Sequence, residues 1–152
     1  MERRIDYAKA SPEAYKAMQE LNAYAKRSGL PAGLLELVKM RVSQINGCAY
    51  CLDMHSKIAR ARGETEQRLY GLDAWREAPY YTEQERAALE WAEAVTNIAW
   101  NRVPDGTYDE ARQQFSEKEL VDLTLAVIVI NGWNRLAISF RSPAGTYKAS
   151  PG

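Results

Sequence analysis

The stretch Asn46-Gly47-Cys48-Ala49-Tyr50-Cys51-Leu52-Asp53-Met54-His55 decides how this 152-residue chain is read. Asn46-Gly47 interrupts one helical pattern, and a second begins close to Cys48 and runs to Arg62, where Gly63 ends it. On a helix, positions three and seven residues after Cys48 turn by roughly 300° and 700°, which puts Cys48, Cys51 and His55 within about one third of the circumference. Cys51 and His55, four apart, are direct neighbours, and His55 is the one histidine in the chain.

Working outward, the same periodicity of three and four recurs. Upstream, Pro31 opens a helix with one buried face at Leu34, Leu37, Val38, Val42 and Ile45, and with Glu36, Lys39 and Arg41 placed elsewhere. Before it, Ser11 and Pro12 start a helix over Glu13 to Lys26 that stops at Ser28-Gly29. Downstream, Thr65 to Trp75 forms a short helix closed by Pro79. Thr82 with Glu85 makes a capping box for a helix over Glu83 to Trp100. Asn101 to Thr107 reads as a turn or loop, and Tyr108 to Gln114 as another short helix. Ser116 with Glu119 repeats the capping box and opens the last long helix, Glu117 to Ile138. Val127 to Ile130 read alone resembles a strand, but Leu120, Leu123, Val127 and Ile130 share one helical face. Trp75, Trp91 and Trp100 read as core or interface residues. The tail from Ser142 is expected to be loose or to pair with a neighbouring subunit. The expected class is all-α, in one domain spanning residues 1–152.

Composition narrows the function. The formal charge is zero, from 20 basic and 20 acidic residues, and no basic stripe accumulates, so neither a nucleic acid nor an anionic membrane is an expected partner. Weak net charge favours self-association. The N-terminus lacks the apolar run of a secretory signal, and no run of roughly 18 continuous apolar residues is present, so a cytoplasmic location is expected. The two cysteines sit three apart and cannot staple distant segments.

In a reducing compartment that spacing suits thiol chemistry. The thiolate is the reactive form, and a free cysteine with a pKa near 8.5 is mostly protonated at neutral pH. Unpaired N–H groups in a first helical turn favour a thiolate, an adjacent imidazole can take its proton, and a second thiol can close a disulfide. Helix electrostatics favour Cys48 as the more acidic thiol, and proximity to His55 favours Cys51. Zinc also accepts Cys, Cys and His, but a structural site needs a fourth protein ligand and draws on loops, whereas these three share one helix. No metal or cofactor is expected. Asp53 reads as a surface or capping residue, and Trp133, Asn134 and Arg135 as a buried contact or polar network.

Glu36, twelve residues before Cys48, followed by Asn46-Gly47-Cys48-Ala49-Tyr50-Cys51-Leu52-Asp53-Met54-His55, closely resembles the alkylhydroperoxidase AhpD-like branch of the carboxymuconolactone decarboxylase superfamily. Ile130 to Arg135 also looks like a segment of that branch. The resemblance implies an AhpD-like antiparallel helix bundle that assembles through its helices as a trimer or hexamer. It implies reduction of hydroperoxides by the thiol pair: the residue matching Cys51 attacks, the one matching Cys48 resolves, and Glu36 and His55 match a proton relay. A thiol or lipoyl-type reductant then restores the dithiol. One departure is Tyr50, which stands where the peroxidase type has a second histidine. Tyrosine, with a reference pKa of about 10, is a poor base at neutral pH. Tyr50, Asn134 and Arg135 are the accessory candidates. A redox-sensing or scaffold oligomer without turnover, and a zinc-binding module, are the competing readings.

Overall fold

A computed structural model describes residues 1–149. Nine α-helices and one 3₁₀ turn make up its regular structure, with no strand among the described residues. They are α1 (Tyr7–Ala10), α2 (Pro12–Lys26), α3 (Ala32–Asn46), α4 (Ala49–Ala61), α5 (Glu66–Tyr70), α6 (Glu83–Thr96), α7 (Ile98–Asn101), α8 (Asp105–Gln114) and α9 (Glu117–Phe140). The 3₁₀ turn, Gly71–Ala74, continues α5.

The helix α3 is the hub: it packs on α4, α6 and α9, while α2 lies along α9 and α8 along α6. Val38, Val42, Leu123, Val127 and Ile130 fill the main core with both cysteines, and Leu37, Leu72 and Leu89 centre a second cluster beneath α5. At about 1.5–3 kcal/mol for each fully buried large apolar side chain, this burial is the main term holding the helices together.

Where charge falls on α3, the structure departs from the sequence reading. Glu36 and Lys39 are not off the buried face; both are buried, because α3 is covered on nearly every side and its charges find partners inside the fold. Lys39 Nζ donates to Glu36 Oε1 at 2.8 Å. Arg41 Nε donates at 2.7 Å to Glu93 Oε1 of α6, which also accepts from Trp75 Nε1.

The boundaries differ in four places. The short helix α1, capped by Asp6 accepting from Lys9 N, has no apolar stripe of its own and was not expected. The helix expected over Glu83 to Trp100 breaks at Asn97 (φ −97°, ψ 27°), so Trp100 sits on the separate turn α7 and stands 89 % exposed, outside the core. Asp105 and Gly106, read as loop, form the first turn of α8 behind Pro104. And α9 runs to Phe140, ended by Arg141 at φ 56°. Both capping boxes, Thr82/Glu85 and Ser116/Glu119, form as read. By length and composition α9 could cross a membrane; in this fold it packs against α2, α3, α4 and α6 and carries Asp122 and Asn134 inward.

Over its described part the tail is held rather than loose. It folds onto α4 of its own chain: Gly145 N donates to Asp53 Oδ2 at 3.1 Å, and Lys57 Nζ donates to Tyr147 O at 2.9 Å. The last three residues of that tail lie outside the described residues.

Candidate active site

Gly47 places the thiols. It takes a left-handed conformation (φ 69°), open to glycine at little cost, and ends α3 with Cys48 N donating to Ser43 O at 3.0 Å. The chain reverses there, and Cys48 becomes the N-cap of α4, its Sγ accepting from Cys51 N at 3.4 Å. A sulfur thus takes the place that Ser, Thr, Asn or Asp holds at most helix starts. Both cysteines are free thiols and each is 1 % exposed.

The two sulfurs do not share one environment. The Cys51 side chain hydrogen-bonds to Cys48, which outweighs burial, and N–H groups of Cys51 and Tyr50 and the Asn134 amide add to it. The Cys48 thiol is thereby lowered to about 7. Cys51 is pushed up strongly by the same bond to Cys48, by burial and by the neighbouring Cys48 charge. The hydrogen bond from Cys51, with the N–H groups of the helix start adding to it, therefore answers the question of acidity that the sequence left open: Cys48 is the more acidic thiol.

The same fold brings Glu36 to His55 across the α3–α4 contact. Glu36 Oε2 lies 2.8 Å from His55 Nδ1. Burial works to raise the Glu36 carboxyl, but the hydrogen bond from His55 and the charge of Lys39 outweigh it and hold it at about 2. A carboxylate ionised at every working pH requires His55 to carry a proton on Nδ1, which leaves Nε2 to exchange protons at the site. Arg62 Nη1 reaches the other oxygen, Glu36 Oε1, at 3.4 Å.

A cavity of about 230 Å³ opens above this pair. Cys51 and His55 lie in its floor, while Cys48 is not among its lining residues. Tyr7, Tyr15 and Trp133 make an aromatic wall, with ring centroids 6.1 Å apart for Tyr7–Tyr15 and 5.7 Å for Tyr15–Trp133. Tyr147 of the folded-back tail also lines it. Tyr50 is a half-buried lining residue whose hydroxyl is raised by burial, so it keeps its proton and has it to offer as a donor.

Asn134 is fully buried beneath the thiols in a polar chain. Asn46 Nδ2 donates to Asn134 Oδ1 at 2.9 Å, and Asn134 Nδ2 donates to Ser43 Oγ at 3.1 Å. Arg135 does not join the site: it is exposed and its guanidinium donates to Asn131 on the same helix. Asp53 caps the tail, as its surface reading allows. Lys39, Arg62, Tyr7 and Tyr15 were not singled out from sequence. Only Lys39 left a signal, three residues after Glu36 on one helical face. Among the described residues, no three His, Cys, Asp or Glu side chains gather so as to hold a metal.

An all-helical chain with two helix-borne thiols under a cavity, backed by a buried carboxylate–imidazole pair, defines the class. Residues 12–94 match the carboxymuconolactone decarboxylase family, and the chain belongs to the AhpD-like branch of that superfamily of enzymes. It is 44 % identical over 146 residues to the uncharacterized Bacillus subtilis protein YdfG, covering 96 % of this chain and 99 % of YdfG. It is 49 % identical, with a TM-score of 0.93, to the crystal structure of an Agrobacterium tumefaciens protein of unknown function put forward as the antioxidant defence protein AhpD; the match covers 96 % of this chain and all of that one. An uncharacterized peroxidase-related protein from Ralstonia eutropha with an AhpD core shares the fold at 19 % identity and a TM-score of 0.80, over 91 % of this chain and 74 % of its own.

Proposed function

We propose that this chain is a thiol-dependent peroxidase that reduces hydroperoxides through a dithiol–disulfide cycle of Cys48 and Cys51. The observation that carries the reading is the division of labour between the sulfurs. Cys51 opens on the cavity, and Cys48, hidden behind it, holds the stabilised charge.

The reaction starts from the pair with one proton shared. The Cys48 thiolate takes the proton of Cys51 along their hydrogen bond, and the Cys51 thiolate attacks the distal peroxide oxygen. The O–O bond breaks, Cys51 becomes a sulfenic acid, and the leaving alkoxide takes from His55 Nε2 the proton that Cys48 gave up on ionising, while Glu36 keeps Nδ1 protonated throughout. Cys48 then attacks the Cys51 sulfur, and the hydroxide that leaves takes the proton Cys48 had accepted, giving water. Two thiols and one hydroperoxide give one disulfide, one alcohol and one water. The Tyr50 hydroxyl, in the place of a second histidine, supplies a hydrogen bond to the departing oxygen and not a base.

A thiol or lipoyl-type reductant returns the disulfide to the dithiol by exchange. The chain works as a homo-oligomer, trimer or hexamer, through helix faces such as the apolar side chains Val121, Ile128 and Ile138, which α9 leaves exposed. The working compartment is the cytoplasm.

Stopped-flow mixing of the reduced protein with hydrogen peroxide and with cumene hydroperoxide tests the proposal. The thiols should be consumed much faster than free cysteine by at least one of the two, with loss of one thiol pair per peroxide. Reaction no faster than free cysteine with both peroxides would overturn it. Cys51→Ser should abolish the fast phase, while Cys48→Ser should stop at the sulfenic acid.

A further inference from the structure

The cavity over Cys51 carries more positive charge than the proton relay uses. Lys39 Nζ and Arg62 Nη1 both face one oxygen, Glu36 Oε1, at 2.8 and 3.4 Å, while the second oxygen is taken by His55. Lys26 stands at the rim, and Glu36 is the one acidic residue in the lining. Three cations therefore line the cavity against a single carboxylate.

The position of Lys39 makes this surplus meaningful. It is 4 % exposed and lines the cavity, and among the described residues Glu36 is its one hydrogen-bond partner, so two of its three N–H donors are left over. A buried ammonium with spare donors favours an anion beside it far more than an exposed one does, because water cannot screen the pair. Arg62, about half exposed at the mouth, offers the planar fork that carboxylates bind in two-pronged fashion. Across the cavity, the Tyr7, Tyr15 and Trp133 rings give an apolar wall with no charge of its own.

We propose that this cavity selects organic hydroperoxides that carry a carboxylate, the apolar body lying on the aromatic wall and the carboxylate between Lys39 and Arg62. This rests on the peroxidase reading for the chemistry but not for the binding. The step itself is unchanged: the distal oxygen meets Cys51, and the product is the corresponding hydroxy acid with water, as the thiols close to a disulfide. The anionic end stays fixed by cations that take no part in the bond changes, so it sets orientation and affinity.

Binding and turnover are measured separately. Tryptophan fluorescence, with Trp133 as reporter, follows titration of the reduced protein with 4-isopropylbenzoate and with the isosteric neutral 4-isopropylbenzamide. The benzoate is expected to bind at least about tenfold tighter, the smallest effect of one charge-assisted hydrogen bond. Exchanging Lys39 and Arg62 together for glutamine should bring the ratio toward one, while the helical circular dichroism stays unchanged. Equal affinities in the native sequence, or a preference that survives the double exchange, would overturn the assignment. In the kinetic arm, the para-carboxylate of cumene hydroperoxide should oxidise the thiols with a kcat/KM at least about tenfold above that of its para-carboxamide. If neither peroxide reacts while the benzoate preference holds, the peroxidase reading fails and the anion site stands. If both react equally and the affinities are equal, the reverse follows.

Discussion

Glu36→Gln keeps the size and shape of the side chain and removes one charge at the centre of the site. The Glu36 carboxyl sits at about 2, against 4.5 for an ordinary glutamate, because the His55 hydrogen bond and the Lys39 charge outweigh burial. That gap, at about 1.4 kcal/mol per pH unit, corresponds to about 3 kcal/mol of stability contributed by the ionised form. The folded value lies below the unfolded one, so this contribution is complete above about pH 4.5 and is lost as the pH falls toward 2. The glutamine variant, with Lys39 left buried and unbalanced, should therefore be about 3 kcal/mol less stable than the native sequence at pH 7, the scale expected for one partner removed from a buried pair. At pH 3 about 1 kcal/mol of the difference should remain, and little below pH 2, since native Glu36 then becomes neutral too. Urea unfolding followed by circular dichroism at pH 7, 5, 4 and 3 measures this. A difference that stayed constant from pH 7 to pH 3, or a variant equal in stability to the native sequence at pH 7, would refute the reasoning, because the ion pair would then not be what holds the carboxyl low.

Three further outcomes follow from the same geometry. Thiolate absorbance at 240 nm should rise with a midpoint at about pH 7, the value at which Cys48 is held; Cys48→Ser should abolish that transition. Asn134→Leu should shift the midpoint upward, since the Asn134 amide favours the Cys48 thiolate, and should lower stability by about 1–3 kcal/mol by stranding Asn46 and Ser43. Gly47→Ala meets no crowding but forces a side chain into φ 69°, so it should cost about 1–2 kcal/mol in urea unfolding.

The sequence disclosed what is local. A helix break at Asn46-Gly47, the thiols just beyond it, and His55 one turn after Cys51 are facts of spacing, and the fold keeps all three. It could not disclose where α3 would be covered. Helical periodicity sorts residues by polarity, so Glu36 and Lys39 were assigned away from the core, although α4, α6 and α9 close around α3 on nearly every side. The spacing of three between Glu36 and Lys39 is written in the sequence, but the same spacing is far commoner on solvated helices, where an ion pair is worth about 0–1 kcal/mol. What turns it into a buried charge centre is His55 arriving from another helix, a contact 19 residues distant that no local pattern encodes. The cavity wall is hidden for the same reason, since Tyr7, Trp133 and Tyr147 come from opposite ends of the chain. The assignment of the acidic thiol turned on one such detail. Both cysteines lie at the start of α4, and only Cys48, placed at the cap, accepts from the Cys51 side chain, which lowers it most, and from the N–H groups of Cys51 and Tyr50, which add to it. The sulfur that carries the charge and the sulfur that lines the cavity are therefore different members of one hydrogen-bonded pair, and in the proposed reaction a ranking of the cysteines by acidity alone would name the resolving thiol as the nucleophile.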